Sequence, residues 1–424
     1  MIDALAIQRG ATWTIAAIAA GGVVLRPWRV PEAVWAVLGA ILLVVFSLVP
    51  WRAAMQAVGS GTDVYLFLIG MMALAELARL EGVFDWLAAR VVRAAHGSTE
   101  KLFAWVFAAG TLVTILLSND ATAVVLTPAV FAAARAGKAD PLPFLFICAF
   151  VANAASFVLP ISNPANLVVF GSHMPPLGSW LMQFALPSVV AIVVTFFALR
   201  LTQRTSLNGQ RIATDVAAPP LSMTGRWTAT GIALSVLVML SASAMGLRLG
   251  LPTFIVGLVT TVAVLLATRQ SPWALLKGIS WSVLPLVAGL FVLVEGLDRT
   301  GVIRYLSAVV TNAAATAPQT TSWGVGFVVA VLCNLMNNLP VGLIAHSVIT
   351  QGTSVPGTIS NVLLVAVDLG PNFSVTGSLA TILWLIVLRR EGLEVSAWRF
   401  LRLGVAVTIP ALILTLAASI LGPH

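Results

Sequence analysis

Apolar runs of roughly 17 to 25 residues, the length a helix needs to cross a bilayer, recur from Thr12 to the C-terminus, separated by short loops that hold nearly all the arginine and lysine. No other feature limits the fold as strongly. Within hydrocarbon every backbone N–H and C=O must find a partner in protein, so a chain built this way folds as an all-α, polytopic membrane protein. The composition agrees: 59% of residues are apolar and 9% charged, where a globular domain has about a quarter charged. The stretch Met1 to Arg9 has no basic n-region and no small-residue cleavage site, so the first apolar run is expected to remain as a helix. Cys148 and Cys333 both fall in apolar runs. Two cysteines build neither a disulfide framework nor a three-thiolate site, and they read as small buried hydrophobes. The net charge of +8 comes from basic residues scattered over loops beside the spans, which is a topology signal and not a nucleic-acid surface.

The chain also repeats itself. Gly70 to Glu76, continuing to Gly82, Val83 and Leu87, matches Gly289 to Glu295, continuing to Gly301, Val302 and Leu306, at a constant offset of 219. Ser118-Asn119-Asp120-Ala121 matches Met336-Asn337-Asn338-Leu339 at an offset of 218, and a break at Leu159 to Pro164 answers one at Gly370 to Ser378. The expected units are residues 1–203 and 227–424, joined by a cytoplasmic linker over 204–226. Spans are expected near 11–25, 32–50, 62–80, 142–171 and 185–203, and again near 227–246, 251–268, 281–298, 357–388 and 403–421. Two further apolar runs, 101–136 and 319–350, carry polar residues at their middles, Asn119-Asp120 and Asn337-Asn338, and read as re-entrant hairpins. The spans 142–171 and 357–388 read as broken helices. Five spans per half is odd, so the second copy lies upside down. The basic residues test this. Arg9, Arg52, Arg248, Arg299 and Arg304 fall on one side and the remaining eighteen of twenty-three on the other, which makes the larger set cytoplasmic and puts both termini outside.

Non-helical backbone at membrane depth survives only where protein buries it or a cavity meets it. The two tips and two breaks are therefore expected to converge near mid-bilayer, where half-helix N-termini suit an oxyanion or the oxygens of a polar solute. Asn119, Asp120, Thr122, Asn163, Asn337, Asn338, Thr376 and Ser378 are the side chains expected to line that volume. A blander role competes for the four tip residues, since Asn and Asp are favoured helix N-caps. Asn153, Asn334 and Asn361 read equally well as interhelical ties, and Thr127 and Pro128 as a bend in the return arm. Carboxylates are costly at this depth, so Asp120 and Asp368, the deepest, are proton-coupling candidates. Repeat-related Glu76 and Glu295 are candidates too, but Arg79 and Arg299 stand at helical spacing and offer ion pairing instead. The histidines at 96, 173, 346 and 424 are too scattered for a metal site. No hydrolase motif is present, and no cofactor or resident metal is expected. Trp180 and Trp398 sit on segments leading into the last span of each half and read as interfacial anchors.

Over nearly its whole length the chain resembles the arsenical pump membrane protein family, within the wider ion transporter superfamily. The stretches that carry the likeness run from Ser118 to Pro128, from Leu159 to Val168, from Met336 to Pro340, and from Asp368 to Pro371 with Gly377 to Leu385. The resemblance implies secondary efflux of arsenite and antimonite from bacteria in exchange for protons, sometimes with a cytoplasmic arsenical-pump ATPase attached, for which the Arg204 to Arg226 loop is the candidate contact. Asn153 stands where other members carry an acid, and Val367 where some carry cysteine. Arsenous acid is a small neutral trihydroxy solute at pH 7, which amides and hydroxyls bind weakly enough for turnover. A sodium- or proton-coupled carrier for an organic anion such as a dicarboxylate is the alternative, as is a sodium/proton antiporter. Asp120 stands in a Thr-like place and disfavours a dianion. The oligomeric state is not legible from the sequence.

Overall fold

A computed structural model describes residues 2–207, 212–213, 220–351 and 355–422. The first half runs α1 (Ile2–Leu25), α2 (Glu32–Val45), α3 (Trp51–Ser60), α4 (Thr62–Leu80), α5 (Val83–Ala94), α6 (Thr99–Leu116), α7 (Asn119–Ala121), α8 (Thr127–Ala136), α9 (Leu142–Ala154), α10 (Pro164–Phe170) and α11 (Leu177–Leu207). The same order follows in α12 (Met223–Ala244), α13 (Gly250–Thr268), α14 (Pro272–Gly278), α15 (Val283–Arg299), α16 (Val302–Thr316), α17 (Pro318–Met336), α18 (Asn338–Gln351), α19 (Gly357–Leu369), α20 (Leu379–Arg390) and α21 (Ala397–Leu421). Among the described residues seven helices are long and apolar enough to cross a membrane, or eight if α3 and α4, bent by 45°, act as one span. The molecule is thus an all-α, multi-pass membrane protein.

Local chemistry sets the boundaries. Serine side chains cap α6 (Ser98), α12 (Ser222), α14 (Ser271) and α21 (Ser396), each accepting a bond from a first-turn N–H. Gly82 and Gly301, repeat-related in sequence, follow the ends of α4 and α15 with φ of +69° and +82°, a left-handed conformation that glycine adopts without a Cβ penalty. Four short helices, α3, α5, α14 and α16, the first, second and last of them amphipathic, were not legible as spans because each is too short to cross.

Helices α2 and α13 hold the same place in the two halves, as do α4 and α15, and each pairs with the other half: α4 lies along α13 and α15 along α2. Helices α11 and α21 pair with one another. Such reciprocal exchange is what a two-fold relation between halves produces. It needs close approach. A Cβ on Gly70 would stand 2.6 Å from the Thr253 carbonyl oxygen, and one on Gly289, at the same repeat position, 2.7 Å from the backbone of Ala36. These two glycines of the repeated motif are small because another helix backbone occupies their side-chain space.

The linker departs from a free loop. Its Ile212 N–H donates to Gly97 O at 3.1 Å and its Ala213 N–H to Gly137 O at 2.9 Å, so the segments just before α6 and just after α8 lie together. Residues 208–211 and 214–219, within the Arg204 to Arg226 segment proposed as the ATPase contact, lie outside the described residues. Trp180 corrects an expectation. It is fully buried, its Nε1–H donates to Phe157 O at 3.1 Å, and it packs against Phe170 and Phe184. Position next to a span says nothing of which face a residue presents once α11 extends down to Leu177. Trp398, 72% exposed, fits the interfacial reading.

Replacing Gly70 by Val is expected to destabilise the bundle by about 1–3 kcal/mol, the usual cost of overpacking. Gly82→Ala, with no neighbour near its Cβ, carries only backbone strain and should cost less. Thermal unfolding of the solubilised protein followed by tryptophan fluorescence checks the order.

Candidate functional site

The site is made by four places where helices stop inside the bundle. Helix α9 ends at Ala154 and α10 starts only at Pro164. The backbone between them is held by Asn166, whose Nδ2 donates to Ser156 O at 2.9 Å and to Leu159 O and Pro160 O at 3.3 Å. Asn163 then caps α10, accepting from Ala165 N–H at 3.0 Å. In the other half α19 passes through a 3-10 turn at Gly370–Phe373, and Ser378 caps α20, accepting from Thr381 N–H at 3.1 Å.

Each tip docks on the break of its own half. Asn119 N–H donates to Ser162 O at 3.1 Å, and Asn338 N–H to Gly377 O at 2.9 Å. One bond in each half therefore joins tip to break, and it matches Asn119 with Asn338 at an offset of 219, one residue beyond the match at 218 read from the sequence. Asn337 adopts φ +74°, donates through Nδ2 to Thr376 O at 3.4 Å and caps α18 by accepting from Leu339 N–H at 3.3 Å. The first arm is capped otherwise: Ser118 Oγ accepts from Ala121 N–H at 3.2 Å and Asn119 Oδ1 accepts from Asp120 N–H at 2.9 Å, which leaves the Asp120 carboxylate out of the capping. Beyond it the chain makes a π turn at Thr122–Leu126, widened just before Pro128, which has no N–H to give.

Asn119, Asp120, Asn163, Pro164, Asn338, Leu339, Leu379 and Ala380 meet around one central cavity of about 20 Å³. These are the opening residues of α7, α10, α18 and α20, so four helix N-termini face a space with room for roughly one water. Of the side chains expected to converge, Asn119, Asp120, Asn163 and Asn338 line this cavity. The other expected residues stand behind the wall. Thr122 pairs with Thr114 at 2.8 Å, Ser378 with Thr381 at 2.8 Å, and Thr376 donates to Asn334 O at 3.1 Å.

A second layer ties the halves together. Asn163 Nδ2 donates to Asp368 Oδ1 at 2.8 Å, and Asn153 Nδ2 to Asn372 Oδ1 at 2.9 Å; Asn372 in turn donates to Phe150 O at 3.0 Å. Asn153 and Asn334 thus act as interhelical ties, Asn334 reaching Gly370 O at 2.9 Å. The sequence did not single out Asn372 or Thr381, although both sit inside the quoted motifs; which residues touch across halves is not coded in linear spacing. Asp368 is fully buried and its Oδ2 has no hydrogen-bond partner. The Asp120 carboxylate meets no hydrogen-bond or ion-pair partner among the described residues.

Two larger pockets flank the centre. One of about 340 Å³ includes Val64, Val168, Glu295, Leu343 and His346 in its lining. The other, about 60 Å³, includes Glu76, Asp120, Val124, Val283 and Leu383. Val64 and Val283, Glu76 and Glu295, and Val124 and Leu343 are each 219 residues apart, and Val168 and Leu383 are 215 apart. The pockets are repeat counterparts of unequal size. Both glutamates are ion-paired, Glu76 to Arg79 at 2.8 Å and Glu295 to Arg299 at 2.7 Å, and Gly278 presses on the Glu76 carboxylate so closely that no side chain fits between.

The arsenical pump membrane protein of Yersinia enterocolitica is 30% identical over 369 residues, 82% of this chain and 84% of that one. That of Escherichia coli K12 is 29% identical over 368 residues, with the same coverage. A family model described as citrate transporter matches residues 15–370. The chain belongs to the citrate transporter family, alongside the arsenical pump membrane proteins. This family member is therefore a membrane transporter and not an enzyme, as its sequence motifs indicated. The crystal structure of the Alcanivorax borkumensis YdaH transporter shares its fold, with a TM-score of 0.57 at 16% identity over 87% of this chain and 89% of that one.

In this citrate transporter family protein, Asn163→Ala removes the α10 cap and leaves Asp368 without its partner, and is expected to cost about 1–3 kcal/mol. Thr122→Val, which breaks the pair with Thr114 and a longer bond to Ser118 O at 3.4 Å, should cost about 0.6 kcal/mol. Thermal unfolding of the two variants side by side measures the difference.

Proposed function

We propose that the chain exports arsenite or antimonite across the bacterial cytoplasmic membrane as a secondary carrier, exchanging the metalloid for protons by alternating access between two inverted halves. One observation carries the reading: four helix N-termini, three amides and the Asp120 carboxyl surround one cavity, with two repeat-related pockets beside it. Amides donate and accept, so they suit a neutral trihydroxy solute, and the lining offers no thiol to trap trivalent arsenic. The names of the arsenical pump relatives point the same way.

Inequality of the pockets supports alternation. If the halves are inverted, exchanging their shapes closes the Glu295 side and opens the Glu76 side, and the centre is reached from each face in turn. On the charge bias, Glu295 lies toward the outside and Glu76 toward the cytoplasm, and both termini are outside. Asp120 borders both the central cavity and the Glu76-side pocket, which suits a group that exchanges protons with one face while touching substrate. Asp368 has one carboxyl oxygen on Asn163 and one orphan. In so dry a place a proton satisfies that oxygen in one state and a rearranged donor in another. Glu76 and Glu295, already paired with arginines, are weaker coupling candidates.

A second reading, an organic-anion carrier, draws on the four positive helix ends and on the family's description. Asp120 argues against a dianion in the same space. Everted vesicles with an imposed proton gradient separate the two: radiolabelled arsenite should accumulate where succinate and sodium do not, and succinate uptake in place of arsenite would overturn the proposal. Cells expressing Asp120→Asn or Asn337→Ala are expected to lose arsenite resistance at undiminished membrane levels of the protein. Normal resistance in both variants would remove these residues from the mechanism.

A further inference from the structure

An open groove of about 370 Å³ lies on the outer surface between α2, α3 and α15. Its walls include Ile41, Val44, Trp51, Met55, Ala288 and Gly289, and almost no polar atom is exposed in it. Gly289 forms part of the floor because α15 must approach Ala36, and Ala288 beside it adds only a methyl group, so the hollow follows from the helix contact that holds the halves together. Where α13, α14 and α4 meet in the other half, buried side chains pack together instead. There Ala73, Leu77, Val264, Leu275 and Ile279 form a closed cluster of side chains. The protein supplies aliphatic chains to one groove and leaves its repeat counterpart open.

An open apolar groove facing hydrocarbon takes an aliphatic chain from the bilayer. The head of that chain is indicated by α3. Trp51, 66% exposed, stands at the start of this amphipathic helix, as a tryptophan at headgroup depth does. Arg52 follows it, exposed, with no carboxylate at ion-pair distance among the described residues. Arginine binds phosphate through its planar fork. We propose that the groove holds one acyl chain of a phospholipid whose anionic head lies against Arg52. The site is separate from the central cavity and does not depend on what the carrier transports.

Native mass spectrometry of the full-length protein, titrated with phosphatidylglycerol and phosphatidylcholine of matched chains, tests this. Wild type is expected to retain one phospholipid and to prefer phosphatidylglycerol several-fold. Ala288→Phe, which fills the groove, should lose the retained lipid, and Arg52→Gln should keep a lipid but lose the preference. Val45→Trp, on the exposed rim, is the second filling variant if Ala288→Phe does not fold. Equal retention by wild type and a folded, filled variant would overturn the proposal. So would equal binding of the two lipids by wild type, or a Met55→Cys protein that cross-links to a second copy in membranes while holding no lipid.

Discussion

Backbone that leaves the helix inside a bilayer must be met by other backbone, and this constraint organises the molecule. Each unpaired group at that depth costs several kcal/mol. The chain meets the requirement twice in the same way, by laying the tip of a helical hairpin on the break of a neighbouring helix: Asn119 N–H on Ser162 O and Asn338 N–H on Gly377 O. Neither interruption is tenable without the other. Once the pairs form, four helix starts point into one space, and the central cavity is a consequence of satisfying the backbone.

Much of this was legible because it rests on local chemistry that the repeat displays twice. The offset of 219 identified equivalent elements, and polar pairs in the middle of apolar runs identified the tips. Glycines at 70 and 289 were visible as a motif, but their purpose became clear only with the opposing backbones of Thr253 and Ala36 in place. What the offset does not encode is which equivalent elements touch. Asn153 was readable as an interhelical tie; its partner Asn372, 219 residues away and in contact, was not. Ser118 took the capping role that could have fallen to Asn119, a choice decided by backbone geometry at the turn. The inward face of Trp180 was hidden for a similar reason, since the length of α11 determines it.

Charge is sorted by depth. Glutamates near helix ends, Glu76 buried and Glu295 partly exposed, are neutralised by arginines one turn away whose guanidinium groups reach the surface. The two central aspartates have no cation. Asp368 is held by an amide from the other half, and Asp120 opens on two cavities at once. A fold needing only stability would place neither carboxyl there, and that is the physical ground for giving them work in transport.

Meeting of the two tips in one buried space is the claim on which the rest depends. In a protein with Cys148 and Cys333 replaced by alanine, cysteines introduced at Asn119 and Leu339 should be joined by a short thiol-specific bifunctional reagent in intact membranes. Failure to join, together with labelling of each position by an impermeant reagent from opposite faces of the membrane, would contradict the account.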